Sequence, residues 1–150
     1  CDAYHITAPA PGGEGAKRCM EAAVKSACIA PDQVDYINAH GTSTYYNDMY
    51  ESEAIMSVFK EHAYNLSVSS TKSVTGHCLG AAGGLEAVFL AKSIYEQTVP
   101  PTANLESVDP KCPLDYTPKT PKEKEIGYGL SNSFGFGGTN GTIVMKKLTS

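Results

Sequence analysis

Two histidines in this sequence are placed for chemistry. His77 closes the run Ser69-Ser-Thr-Lys-Ser-Val-Thr-Gly-His77, and Gly80, Gly83 and Gly84 follow it closely. A glycine weakens a helix by about 1 kcal/mol relative to alanine, so several near one helix start predict close packing or close backbone approach. The spacing places His77 in the first turn of that helix. There the dipole holds an imidazole neutral, suited to donating a hydrogen bond to a developing oxyanion. His40 opens His40-Gly41-Thr42-Ser43-Thr44 at the end of a β-rich run, where α/β folds place ligand-binding loops; a capped turn with an incidental histidine is the plainer alternative. Two neutral histidines side by side can donate paired hydrogen bonds to one carbonyl or enolate oxygen, the electrostatic device of acyl and Claisen chemistry. Lys72 would orient or stabilise charge around them. Glu86 lies in a helix that is apolar nearly all round and would need a partner there, for which Lys72 is the candidate; ordinary exposure is the plainer alternative.

The elements that must position these residues follow from periodicity. Ala16, Met20, Ala23, Val24 and Ala27 form one apolar stripe and predict a helix from about Gly15 to Ala30, ended by Pro31-Asp32. Cys19 and Cys28 flank the stripe and read as buried structural thiols. Val34 to Ala39 predicts a strand. A second helix runs from a cap at Asn47 or Asp48 to about Lys60, with Ala54, Ile55, Val58 and Phe59 on its buried face and Glu51 and Glu53 as solvated charge. His5 and His62 read as surface or packing residues. Leu66 to Ser70 is a second strand. The helix after His77 extends to about Glu96, with Gly80, Gly84, Ala87 and Ala91 as a small-residue ridge suited to close approach by another backbone. Residues 97 to 126 hold six prolines and read as irregular, with lysines 119, 122 and 124 on a solvated face. Strands at Ile126–Ser133 and Thr142–Met145 flank Phe134-Gly-Phe-Gly-Gly-Thr-Asn-Gly141, and their succession suggests an antiparallel pair. That turn lacks the Lys-Ser/Thr of a P-loop and does not complete a dinucleotide fingerprint. It suits a gate or lid, or a plain hairpin turn.

Composition narrows the classes. A formal charge of −4 over 150 residues gives no footprint for nucleic acid. No apolar run approaches the roughly 20 residues of a membrane span, and no secretory signal opens the chain. The five cysteines are scattered without CxxC spacing, so neither a metal site nor a disulfide framework is expected, and reduced thiols in the cytoplasm are. The chain opens Cys1-Asp-Ala-Tyr without an initiator methionine, which predicts that it continues a longer polypeptide.

Three motifs in order carry a resemblance over essentially the whole chain: Asn38-Ala-His-Gly-Thr-Ser-Thr44; Ser70-Thr-Lys-Ser-Val-Thr-Gly-His77 with Gly80-Ala-Ala-Gly83; and Asn132-Ser-Phe-Gly-Phe-Gly-Gly-Thr-Asn140. Val99-Pro-Pro-Thr-Ala-Asn-Leu105 also fits. The sequence resembles the C-terminal half of the β-ketoacyl-acyl carrier protein synthases, with the synthase II branch the nearest match. The resemblance implies an α/β, thiolase-like fold: a mixed sheet of about five strands, packed helices and a central Gly/Ala-rich helix. It implies decarboxylative condensation of malonyl-carrier protein with an acyl group held on an enzyme cysteine, in fatty-acid elongation. By the same resemblance His40 and His77 assist decarboxylation and stabilise the enolate, and Lys72 and Glu86 are the supporting charged pair. Thr42 and Thr44 bind the phosphopantetheine arm. Phe134 is the gate, on a mobile loop of Gly135, Phe136, Gly137 and Gly138. No cofactor beyond the carrier's arm is implied. The implied partners are acyl carrier protein, an N-terminal half and a second copy in a homodimer.

Two departures accompany the match. Tyr45-Tyr46 stand where the family often has proline. The family's nucleophilic cysteine belongs to the N-terminal half, and no cysteine here replaces it; Cys78, adjacent to His77 on a helix, would point about 100° away from it. The 150-residue chain alone is therefore expected to be inactive. Two rivals are a polyketide ketosynthase, whose loop usually reads Gly-Thr-Gly-Thr, and a non-catalytic module that binds pantetheine or a carrier protein.

Overall fold

The structure is a computed structural model and describes residues 1–148. Residues 1–10 are irregular. Helix α1 spans Glu14–Ser26, strand β1 Tyr36–Asn38, helix α2 Tyr45–Phe59 and strand β2 Ser67–Ser69. A one-turn helix, α3, covers Lys72–Thr75. Helix α4 covers Ala82–Glu96, behind a 3-10 turn at Leu79–Ala81. Strands β3 (Thr98–Val99) and β4 (Lys122–Glu123) form a small antiparallel ribbon. Strands β5 (Tyr128–Gly135) and β6 (Thr139–Lys146) complete the fold.

The main sheet has the order β2-β1-β5-β6. β1 is parallel to both neighbours, and β5–β6 is an antiparallel hairpin. The mixed sheet is thus present with four strands, and two more lie in the ribbon inside the segment read as irregular. Alternation along β1 divides the core. Ile37 joins Met20, Val24, Ile55, Phe59 and Leu130 on the face covered by α1 and α2. Tyr36 joins Leu90, Ile94, Val99 and Ile126 on the face covered by α4.

Several boundaries differ from the sequence reading for local reasons. α1 stops at Ser26, well before Pro31. Cys28 adopts a left-handed φ of 55°, while Ile29 N–H bonds Val24 C=O and Cys28 N–H bonds Lys25 C=O. This is a Schellman cap with cysteine in the usual glycine place. Cys28 is exposed and Cys19 half-buried, so neither is the buried thiol expected. α2 starts at Tyr45 because Ser43, at φ 62°, turns the chain early. Asp48 then reaches back to accept Ser43 N–H at 3.2 Å. His62 is half-buried, its Nε2 2.7 Å from the Val34 carbonyl. Lys124 is half-buried too, donating to the Asn65 carbonyl and Ser67 Oγ.

The ridge on α4 points the other way from the sheet. Side chains added at Gly80 or Gly84 would meet open space, and Val88 and Tyr95 on the same helix are 63% and 88% exposed. Close approach comes instead from Gly129 of β5, where a Cβ would lie 2.5 Å from Leu90 Cδ1. Leu130 is fully buried, so Leu130→Ala is expected to cost about 2–5 kcal/mol in urea denaturation. Tyr95→Ala in the same chain is expected to change stability by less than about 0.5 kcal/mol. Equal losses would contradict this division of the core.

Candidate active site

Three strand ends converge at one edge of the sheet. β1 runs out through Ala39 into His40 and Gly41, β2 runs out into Ser70 and Thr71, and β5 carries Asn132 and Phe134 beside them. The first two exits are stapled together. Ala39 N–H bonds Ser69 C=O at 2.8 Å, Ser70 Oγ donates to Gly41 C=O at 2.8 Å, and Asn38 Nδ2 donates to Thr71 Oγ1 at 3.3 Å. Gly41 (φ 41°) has no room for a side chain, since a Cβ would fall 2.5 Å from Ser70 Cβ.

Glu51 fixes the histidine on that loop. Its carboxylate is buried inside α2 and accepts the backbone N–H groups of His40 and Gly41, each at 2.9 Å. Asn132 Nδ2 adds a third bond at 3.1 Å, and Thr142 Oγ1 holds Asn132 from β6 at 2.8 Å. Burial pushes the Glu51 carboxyl above the usual range, against the lowering effect of these donors. The sequence reading placed Glu51 among solvated charges, and the structure corrects this. The signal was present: Glu51 lies three, four and seven residues before Ala54, Ile55 and Val58, on the buried face of the helix.

His77 lies beyond α3, not in the first turn of the long helix. Gly76 ends α3 at φ 69°, ψ −177°, a conformation open to glycine. His77 Nδ1 then accepts Leu79 N–H at 3.1 Å, so the proton of the neutral ring sits on Nε2. The His40 and His77 rings are 5.5 Å apart at 84°. Phe134 also packs on His40, with ring centroids 5.7 Å apart. Lys72 and Glu86 form a buried ion pair, with side-chain exposures of 5% and 3%. Burial lowers the His40 pKa to about 3, reinforced by the Lys72 charge and then by His77. His40 Nδ1 is buried without a partner among the described residues. The site thus offers a neutral imidazole, a second ring with Nε2–H, and a fixed positive charge. Such a set can polarise a carbonyl oxygen and hold an enolate.

Thr42 and Thr44 face one another, Oγ1 to Oγ1 at 3.3 Å. They line a cleft of about 560 Å³ that also reaches Lys72, His77, Asn104 and Tyr116. Phe134 and Gly135 differ from the expected mobile loop. Both belong to β5 and pair with Asn140 and Thr139 of β6. The turn itself is only Phe136–Gly138, with Gly137 and Gly138 at φ 75° and 72° and Phe136 78% exposed. The irregular N-terminal segment braces this turn through Asp2 N–H to Gly138 C=O and Gly137 N–H to Ile6 C=O. No helix among the described residues is long and apolar enough to cross a membrane.

Residues 1–106 match the family model for the C-terminal domain of β-ketoacyl synthases. The chain belongs to the β-ketoacyl synthase family. It is 55% identical over 147 residues to 3-oxoacyl-[acyl-carrier-protein] synthase 2 of Synechocystis, covering 98% of this chain and 35% of that protein. It is 54% identical to the synthase 2 of Coxiella burnetii, covering 98% of this chain and 36% of that one. Among solved structures, a type II polyketide synthase acyl-carrier protein in complex with its ketosynthase superposes with a TM-score of 0.96 at 42% identity. That match covers 99% of this chain and 36% of the other. The chain therefore spans about a third of the length of the curated relatives it matches.

The neutrality of His40 has a consequence for pH. An unfolded histidine takes up a proton near pH 6.5, while the folded ring resists until about 3. The unfolded state therefore binds more protons in between, and His40 subtracts stability as pH falls from about 6.5 towards 3. In NMR titration the His40 ring resonances are expected to stay at their neutral positions from about pH 8 to pH 5. A midpoint near 6.5 would contradict the arrangement.

Proposed function

We propose that these residues form the decarboxylating part of a 3-oxoacyl-acyl carrier protein synthase of fatty-acid elongation. The observation that carries the reading is the pair of histidine rings 5.5 Å apart beside the buried Lys72–Glu86 pair. In the reaction the thioester carbonyl of malonyl-carrier protein accepts hydrogen bonds from His40 and His77. The bond to the carboxylate carbon breaks, its electrons move into the enolate, and carbon dioxide leaves. The enolate carbon attacks an acyl thioester held on a cysteine outside these residues, and the thiolate departs. Lys72 lies close enough to disfavour a proton on His40, keeping the ring a hydrogen-bond donor or acceptor without charge. Thr42 and Thr44 hold the pantetheine arm, and Phe134 against His40 gates the acyl group. Acyl carrier protein is the partner and the cytoplasm the setting, and the working enzyme is a homodimer.

A polyketide ketosynthase is the second reading, supported by the 42% identity to the carrier-bound ketosynthase. The higher identity to the fatty-acid relatives favours the first, as does Ser43. That position has φ 62°, where the Gly-Thr-Gly-Thr loop of polyketide enzymes places the residue best suited to it, and this chain keeps serine. A module that only bound carrier protein would have no use for a buried ion pair beside a neutral histidine.

The complete gene product, given acyl- and malonyl-carrier protein, is expected to release carbon dioxide and form a 3-oxoacyl product two carbons longer, read by mass spectrometry. His77→Ala is expected to slow decarboxylation by about 10²-fold or more. No product from the wild type, or an undiminished rate in the variant, would contradict the reading.

A further inference from the structure

The run Pro100-Pro-Thr-Ala-Asn-Leu105 has so far no assigned task, yet it touches the most precarious part of the site. α3 is a single turn of four residues, and a helix that short has no stability of its own. It nevertheless carries Lys72 at its first position and delivers His77 just beyond its end. Thr102 supplies what the turn lacks. Its Oγ1 accepts Ser70 N–H at 3.2 Å and donates to Tyr116 C=O at 2.7 Å. Its main chain is held on both sides, by Thr102 N–H to Thr117 C=O and Lys119 N–H to Thr102 C=O. Ala103 N–H then bonds Ser73 Oγ at 2.9 Å, and that hydroxyl donates to Ser70 C=O at 2.7 Å. Asn104, at φ 64°, donates from Nδ2 to Ser73 C=O at 3.2 Å.

The clamp is anchored to α2. The Tyr116 hydroxyl donates to Ser52 Oγ at 2.5 Å, since Ser52 spends its own proton on Asp48 C=O. Ser52 is the neighbour of Glu51, which holds His40. Two consecutive residues of one helix therefore fix both sides of the site, one directly and one through Tyr116 and Thr102.

We infer that Thr102 and Asn104 are positioning residues, which set α3 so that Lys72 and His77 stand in register with His40. The catalytic consequence rests on the proposed decarboxylation. Misplacement of an electrostatic group lowers the rate of the chemical step more than substrate binding.

In the complete gene product, Thr102→Val removes the hydroxyl at constant shape, and Thr102→Ser keeps it. Thr102→Val is expected to lower kcat for malonyl-carrier protein decarboxylation about tenfold with KM changed less than about twofold. Thr102→Ser is expected to retain most of the rate. Nitrogen-15 histidine NMR reads the same geometry without turnover: the His77 ring signals move in Thr102→Val and stay in Thr102→Ser. If Thr102→Val does not fold, Asn104→Ala is expected to show the same kcat loss in smaller measure and the same His77 shift. A wild-type kcat with unmoved His77 signals, or equal losses in the valine and serine variants, would overturn the inference. A wild type that releases no carbon dioxide defeats the functional reading instead, and the NMR comparison then decides the clamp by itself.

Discussion

Lys72 and Glu86 are withdrawn from water together, and the arrangement of the site depends on that contact. Desolvating two charges costs several kcal/mol per ion, which their attraction offsets only when geometry is good. Here the lysine comes from a one-turn helix and the glutamate from the long helix that covers one face of the sheet. The contact ties the strand-exit loops to α4 and leaves a positive charge beside His40. Removing either partner strands the other, at a cost of about 3–5 kcal/mol. Apolar side chains of similar volume would serve folding as well.

The sheet and α2 supply the frame in which that contact forms. Parallel pairing of β1 with β2 and β5 brings three strand exits to one edge. Glu51 then holds the His40 loop from below, while Gly41 lets that loop lie against Ser70. Gly76 frees the chain to turn His77 towards His40. The turn at Phe136–Gly138 is held by the N-terminal segment, so Phe134 sits in a paired strand against the imidazole.

What was legible in the sequence were side chains whose types announce a task. His40, His77, Lys72 and Glu86 were identifiable because two histidines in glycine- and hydroxyl-rich loops, a lysine and a carboxylate inside a largely apolar helix have few bland uses together, and the structure brings all four together. Glu51 was read as solvated charge, although its spacing matched the buried face, because a glutamate early in a helix has a ready dipole explanation. The end of α1 was missed because cysteine took the left-handed cap that glycine normally fills. α3 was missed because one turn leaves no periodic trace, and its stability comes from residues some thirty positions away. The exposed ridge of α4 shows the limit of pattern reading. Small residues at helical spacing mark a surface fit for close approach, and within these residues nothing approaches it.

Substitutions at the buried pair separate its charge from its packing. Lys72→Met, Glu86→Leu and the double variant would be compared in the complete gene product for stability and for decarboxylation of malonyl-carrier protein. Each single variant is expected to be destabilised, the double variant to regain most of that stability, and all three to lose the proposed decarboxylation. A double variant that releases carbon dioxide within a few-fold of the wild-type rate would contradict it.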